Sequence, residues 1–288
     1  GSKLSTVSVP GNAQLSETGN LYLSSGTYLV QVAKGTTSTN DEYILTVNVD
    51  QNSNMESEPN NTPETANTVP VNEDIHASIG QEGDVDCFAF TLVGDAVIQP
   101  KFTFTPTDSS SKTYVLTILD ASRREMLKVN IGGKESTKVI TPVALTAGLY
   151  TVKIENPRFV RQDYTLRLVS MAVDRAEKEP NDSAVLATAL SVGQPRTGVL
   201  TTDADIDYYK VTFAEQTTVT LRCSFAQSTN RNTAFVLTVE QNGKTQWTAN
   251  IKGDSGGIEQ QLQFPAGEYY FKVKPSTWLG AVYTISVD

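Results

Sequence analysis

Glu56-Ser57-Glu58-Pro59-Asn60-Asn61 returns 121 residues later as Glu177-Lys178-Glu179-Pro180-Asn181-Asp182. The first copy is followed by Gly83-Asp84-Val85-Asp86, the second by Asp203-Ala204-Asp205-Ile206-Asp207. The steps from Asp84 to Asp205 and from Asp86 to Asp207 are again 121 residues. A chain of 288 residues is long enough for two domains. The repeat makes it an array of one module of about 120 residues, a length that can enclose its own core. Each copy gathers carboxylates and amide oxygens that repel one another unless a cation lies between them.

Strand signals fill the space between the acidic motifs. Phe88-Ala89-Phe90-Thr91-Leu92 and Tyr209-Lys210-Val211-Thr212-Phe213 alternate with period two. Val115-Leu116-Thr117-Ile118 and Val236-Leu237-Thr238-Val239 repeat the pattern, rich in β-branched residues. Gly132-Gly133, Asn242-Gly243 and Gly256-Gly257 supply turns. Short strands with regular turns predict tandem antiparallel β-sandwiches, an all-β fold. One short helix per copy is expected directly after the acidic lead-in. It covers residues 62–68, with Thr62 as N-cap and Pro63 at the first helical position, and residues 182–190 in the second copy.

A landmark near the end of each copy reads Ala147-Gly148-Leu149-Tyr150 with Tyr164, then Ala266-Gly267-Glu268-Tyr269 with Tyr283. These tyrosines read as core residues. The landmark occurs a third time, as Ser25-Gly26-Thr27-Tyr28 with Tyr43. Residues 1–50 thus correspond to the back half of an earlier copy, followed by modules at 51–172 and 173–288. A half sandwich leaves an open apolar face and bare strand edges. Docking on the next module or self-association through 1–50 is the expectation.

The net charge of -9 and a pI of about 4.8 argue against a nucleic-acid partner. No apolar run is long enough to span a membrane as a helix. Gly1-Ser2 begins neither a basic nor an apolar leader segment and reads as a remnant of cloning. Cys87 and Cys223 sit at unrelated positions of the two copies and read as small buried hydrophobes.

The order of motifs resembles the bacterial pre-peptidase C-terminal domain family, which includes the collagen-binding domains of clostridial collagenases. The resemblance rests on E-x-E-P-N-D/N, the G-x-x-x-x-D-x-D-x-Y/F-x-F stretch and A-G-x-Y-x-V-x-V. It covers residues 51–288, and 1–50 by its back half. It implies a jelly-roll-like sandwich appended to secreted peptidases or other exported enzymes, non-catalytic, and in some members binding calcium or insoluble substrates. The implied calcium ligands are Glu56, Glu58, Asn60, Asn61, Asp84 and Asp86, and Glu177, Glu179, Asn181, Asp182, Asp205 and Asp207. Asn61 departs from the acidic residue of the pattern, which predicts a weaker first site. Asp203 adds a carboxylate to the second.

The residues support calcium without the family. In an extended segment Glu56 and Glu58 point to one side, as do Glu177 and Glu179. A lead-in and a distant Asp-x-Asp loop can therefore close on one ion that takes six to eight oxygens. No histidine or cysteine lies in either motif, which argues against zinc and copper. Catalysis is not expected, and no catalytic residue is assigned. The one histidine, His76, reads as exposed on an edge strand. No G-x-S-x-G nucleophile motif and no phosphate-binding glycine loop occurs.

Two functions fit. Calcium-bearing modules could space and position the catalytic domain of a secreted or cell-surface bacterial parent chain. Alternatively they could target a substrate, collagen or another extracellular protein or polysaccharide, through the aromatics Tyr208, Trp247, Tyr270 and Trp278.

Overall fold

The computed structural model describes residues 5–10, 13, 20–23, 25–35, 42–49, 54–107, 112–277 and 280–288. Among the described residues, the first module has ten strands: β1 (Asn67–Thr68), β2 (Asp74–Ile79), β3 (Val85–Leu92), β4 (Ala96–Phe104), β5 (Lys112–Asp120), β6 (Glu125–Gly132), β7 (Thr137–Val139), β8 (Val143–Leu145), β9 (Gly148–Glu155) and β10 (Gln162–Ala172). The second has nine: β11 (Thr188–Ala189), β12 (Arg196–Val199), β13 (Asp207–Phe213), β14 (Thr217–Phe225), β15 (Thr233–Gln241), β16 (Lys244–Lys252), β17 (Gly257–Phe264), β18 (Gly267–Pro275) and β19 (Val282–Val287).

Each module builds two sheets. In the first module they run β1-β3-β9-β5-β6 and β2-β10-β4, with β7 and β8 both pairing β4. The second repeats this as β11-β13-β18-β15-β16 and β12-β19-β14-β17. Pairing is antiparallel except for β1 on β3 and β11 on β13, which are parallel. Alternation along the strands explains the layers. Phe88 and Phe90 of β3, Phe102 and Phe104 of β4, and Leu116 and Ile118 of β5 turn into one buried cluster. Tyr209, Val211, Phe213, Leu237, Val239, Phe271 and Ile285 do the same in the second module. Burying each large side chain contributes roughly 1.5–3 kcal/mol. Tyr150, Tyr164, Tyr269 and Tyr283 are buried as the alternation required.

The two short helices are not formed. Residues 62–65 and 184–186 make single turns, closed by Thr65 N–H on Thr62 O and Leu186 N–H on Ser183 O, both at 3.0 Å. A first helical turn fixes several residues for one hydrogen bond. Here the chain must already be extended at Asn67 and Thr188 to pair with β3 and β13.

Residues 25–35 and 42–49 form no strand, and Leu29 and Ile44 are exposed at 95% and 94%. Among the described residues, a few contacts reach the first module. Leu23 makes an isolated bridge with Glu58, and Asn20 Nδ2 donates to Asp163 Oδ2 at 2.6 Å. The correspondence of 1–50 with 122–171 therefore rests on the sequence repeat.

A third, smaller apolar cluster lies between the modules. Val97 and Ala144 of the first meet Ala176 and Val199 of the second, flanked by Val173 and Val282. Asp95 polarises this seam: its Oδ1 accepts Ala147 N–H at 3.0 Å and its Oδ2 accepts Ala176 N–H at 2.9 Å. Both cysteines are buried and unpaired. Among the described residues, no helix is long and apolar enough to cross a membrane.

Candidate metal centre

Each acidic lead-in crosses one end of its sandwich from sheet to sheet. On one side Glu56 N–H donates to His76 O of β2 at 2.9 Å. On the other, Asn60 O accepts Cys87 N–H of β3 at 3.0 Å. The second module repeats both bonds, Glu177 N–H to Thr197 O at 2.8 Å and Tyr208 N–H to Asn181 O at 3.0 Å. The Glu58–Pro59 and Glu179–Pro180 peptide bonds are both cis.

This path brings together Glu56, Glu58 and Asp86 in one module and Glu177, Glu179 and Asp207 in the other. In each set one carboxylate oxygen per residue lies within 4.8 Å of the others. Glu56, Asn60, Asp86, Glu177, Asn181 and Asp207 are buried. Neutral or positive groups that could offset the charge are few. Glu56 Oε1 accepts Ser78 N–H at 2.6 Å, and Glu177 Oε1 accepts Val199 N–H at 2.7 Å. Tyr164 donates its hydroxyl to Asp86 Oδ2, and Tyr283 to Asp207 Oδ2. Asn60 Oδ1 and Asp86 Oδ1, and Glu179 Oε1, Asn181 Oδ1 and Asp207 Oδ1, are buried with no hydrogen-bond partner.

The charges respond as burial dictates. Loss of water, then the Asp86 charge, pushes Glu56 up to about 10. Burial, then Glu177, pushes Glu179 up to about 9, and burial pushes Glu177 itself up to about 7. Asp86 and Asp207 are also raised, first by desolvation. Without a cation the native cluster holds protons that free carboxylates would release near neutral pH.

The remaining sequence candidates lie outside these two sets, Asp84 and Asp205 buried and Asn61, Asp182 and Asp203 exposed. Asp84 Oδ2 accepts Gly80 N–H at 2.7 Å, and Asp205 Oδ2 accepts Thr201 N–H at 2.6 Å. Each aspartate thus ties its own turn. Asn61 is exposed, and with its amide nitrogen turned inward it donates to Asp84 Oδ1 at 3.0 Å. Asp182 is exposed and accepts Ile206 N–H at 3.3 Å. Asp203 is exposed on the turn before β13 and lies outside the buried set.

Several supporting residues escaped the sequence reading. Asn67 Oδ1 accepts Ser57 N–H at 2.7 Å and Asn60 Nδ2 at 3.2 Å. Thr188 Oγ1 replaces it, accepting Lys178 N–H at 3.0 Å. The 121-residue step from Asn67 to Thr188 was the available signal. Tyr164 and Tyr283 read only as core, yet their hydroxyls end at the clusters.

The three described aromatic candidates do not form one patch. Tyr208 lies under Lys272, whose Nζ is 5.4 Å from the ring centre, and Tyr270 shares that outer sheet face, bonded to Glu268. Trp247 pairs with the buried Val239 and packs toward the core, so it faces the other way. Trp278 lies outside the described residues. His76 is half-buried rather than exposed, its Nδ1 3.3 Å from Thr165 Oγ1, because β10 and the lead-in flank β2 on both sides.

No family model matches the chain, and no curated protein does. Among solved structures, it is similar to the pre-peptidase C-terminal domain of a collagenase from Bacillus anthracis. That likeness has 15% identity and a TM-score of 0.30, over 35% of this chain and 94% of that one. The CUB1-EGF-CUB2 region of human MASP-1/3 matches at 7% identity and a TM-score of 0.25, over 75% and 99% of the two chains. The M60 catalytic domain with two CBM51 domains of Clostridium perfringens ZmpB matches at 7% identity and a TM-score of 0.24, over 70% and 33%. Likenesses this low leave the site to be read from its own geometry.

Proposed function

We propose that each module holds one calcium ion in its buried carboxylate cluster. The chain then serves as a non-catalytic accessory segment that spaces and positions a catalytic domain of a secreted or cell-surface bacterial protein. The observation that carries this reading is the set of buried oxygens without a donor, most completely Glu179 Oε1, Asn181 Oδ1 and Asp207 Oδ1. Leaving such an acceptor unsatisfied costs about 1–3 kcal/mol, more when it is charged. A hard cation satisfies several at once. The donor set is oxygen throughout, which suits calcium or magnesium and not a soft metal.

Glu56, Glu58, Asn60 and Asp86, and Glu177, Glu179, Asn181 and Asp207, are the residues that would hold the ion. The bound ion supplies charge neutralisation that ties the lead-in to both sheets. Burial of Glu56, Asp86, Glu177 and Asp207 also speaks against a hydrolytic role for these four carboxylates, since no polymer reaches them. Asp95 and the apolar seam support the positioning role, because they hold the second module against the first.

Calorimetric titration with calcium, alongside thermal unfolding in calcium and in EDTA, tests the proposal. Two binding events and a raised melting temperature are expected. An absence of both would reduce the clusters to proton-holding carboxyl groups. Attachment to collagen or a polysaccharide is a second reading, favoured only by Tyr208 and Tyr270 on one sheet face. Retention on such a matrix, lost in a Tyr208→Ala, Tyr270→Ala variant, would establish it.

A further inference from the structure

Besides Thr188 in place of Asn67, the two clusters differ at one buried pair of positions. Position 88 is phenylalanine, and its counterpart 121 residues on is Tyr209. Position 77 is alanine, and its counterpart is Gly198. All three larger side chains are fully buried. The Tyr209 hydroxyl donates to Glu177 Oε2 at 2.8 Å. A Cβ on Gly198 would lie 2.4 Å from that hydroxyl oxygen. The same Cβ would lie 2.5 Å from Cζ and the hydroxyl oxygen of Tyr283, so Gly198 makes room for two hydroxyls, of which the first module lacks that of Tyr209.

The hydroxyl changes how many acceptor positions Glu177 has left. A carboxylate oxygen has two. Glu177 Oε2 receives Tyr209 at 2.8 Å and Asn181 Nδ2 at 3.2 Å, which fills both. Its Oε1 receives Val199 N–H at 2.7 Å and keeps one. Glu56 Oε1 receives Ser78 N–H at 2.6 Å, and its Oε2 receives Asn60 Nδ2 at 3.4 Å. Each Glu56 oxygen thus keeps one position. The Tyr283 hydroxyl stands 2.8 Å from that of Tyr209. With both carboxylates ionised, each tyrosine gives its single proton to its own carboxylate.

We infer that Tyr209, admitted by Gly198, is a specificity-determining residue of the second cation site: it withdraws Glu177 Oε2 from the ion. Glu56 can grip a cation with both oxygens, Glu177 with one. Two-oxygen ligation suits calcium, which accepts six to eight ligands at roughly 2.3–2.6 Å. Magnesium demands octahedral geometry at about 2.0–2.1 Å and gains little from it. The first site therefore discriminates calcium from magnesium more sharply than the second. This inference rests on the calcium reading above.

The test is calorimetry on the full chain with calcium, and with calcium in competing magnesium. An Asp86→Asn background isolates the second site. Adding Tyr209→Phe, with Gly198 kept because a Cβ there would also meet Tyr283, removes the extra hydroxyl from it. The calcium-over-magnesium preference should rise roughly five- to tenfold, the worth of about one hydrogen-bonded ligand oxygen. The reverse change, Ala77→Gly with Phe88→Tyr in an Asp207→Asn background, should lower it. Tyr209→Phe alone, in the otherwise unaltered chain, guards against a folding defect: only one of its two binding events should change. Preferences that stay within twofold in these variants, with calcium still bound, overturn the inference and leave the calcium reading standing. No calcium binding by the unaltered chain overturns both.

Discussion

Asp95 Oδ2 accepts the backbone N–H of Ala176 at 2.9 Å, and Ala176 immediately precedes Glu177, the first carboxylate of the second cluster. The same aspartate accepts Ala147 N–H through its other oxygen and, through its backbone carbonyl, Val173 N–H at 3.0 Å. One residue of the first module thus sets where the second module's lead-in begins.

Replacing Asp95 with alanine leaves two backbone N–H groups at the seam without their acceptor. The expected loss is about 1–3 kcal/mol in chemical denaturation. Small-angle scattering should show a larger radius of gyration, because Val97, Ala144, Ala176 and Val199 alone form a small seam. An unchanged scattering profile would mean that Asp95 does not hold the modules together.

Asp207→Asn removes a buried charge from the second cluster while keeping an acceptor for Tyr283. One of two calcium events should disappear. Calcium at about 100 times its dissociation constant stabilises a one-site module by about 2.7 kcal/mol. That gain should vanish from the second module's unfolding and persist in the first. Asp86→Asn should give the mirror result, read by calorimetry of both transitions.

Stability in EDTA should depend on pH with a defined sign. In the unfolded chain Glu56 and Glu179 titrate near the ordinary glutamate value of 4.5, whereas in the fold they are raised to about 10 and about 9. Between those values the native state binds more protons, so unfolding free energy falls as pH rises. The contribution is complete below about pH 4.5, declines above it and is gone by about pH 10. Glu177, raised to about 7, adds its decline in the lower part of that window. Saturating calcium should displace the protons and flatten the slope. Melting temperatures from pH 5 to 9, with and without calcium, check this; a rise with pH in EDTA contradicts it.

The thiols should be inert in the native protein. Burial pushes Cys87 up to about 11 and Cys223 up to about 12, and neither side chain reaches solvent. Only the thiolate attacks a disulfide reagent. Labelling at pH 8 should therefore follow unfolding, and it should accelerate in EDTA if calcium stabilises the modules. Rapid labelling of Cys87 in calcium would show that the β1-β3-β9-β5-β6 sheet of the first module opens locally.

Much of the fold was legible because it is written twice. Alternation in Phe88–Leu92 and Tyr209–Phe213 named both strands and their inward faces. The helices were not legible correctly. Thr62-Pro63 and Asp182-Ser183 carry good local start signals, but the parallel pairing of Asn67 with Phe88 and of Thr188 with Tyr209 claims the chain a few residues later. Local preference lost to sheet pairing. In the half-copy 1–50 the landmark Gly26-Thr27-Tyr28 repeats, yet none of the described residues there form a strand beyond the Leu23 bridge. Strand patterning needs partners to become a sheet.

The sequence by itself determined which residue types gather at each centre, because the 121-residue spacing keeps Glu-x-Glu-Pro-Asn and Asp-x-Asp in register with their strands. It also determined that both cores are β-layered, since period-two alternation allows no other buried face. Tertiary structure alone decided which carboxylates are buried and which stay at the rim. It placed Glu56, Glu58 and Asp86 together and left Asn61, Asp182 and Asp203 exposed. It also brought the Tyr164 and Tyr283 hydroxyls to the clusters and set Tyr209 against Gly198. The physical reason is distance along the chain. Tyr164 meets Asp86 across 78 residues, and such a contact is fixed by how two sheets stack, which no local pattern encodes.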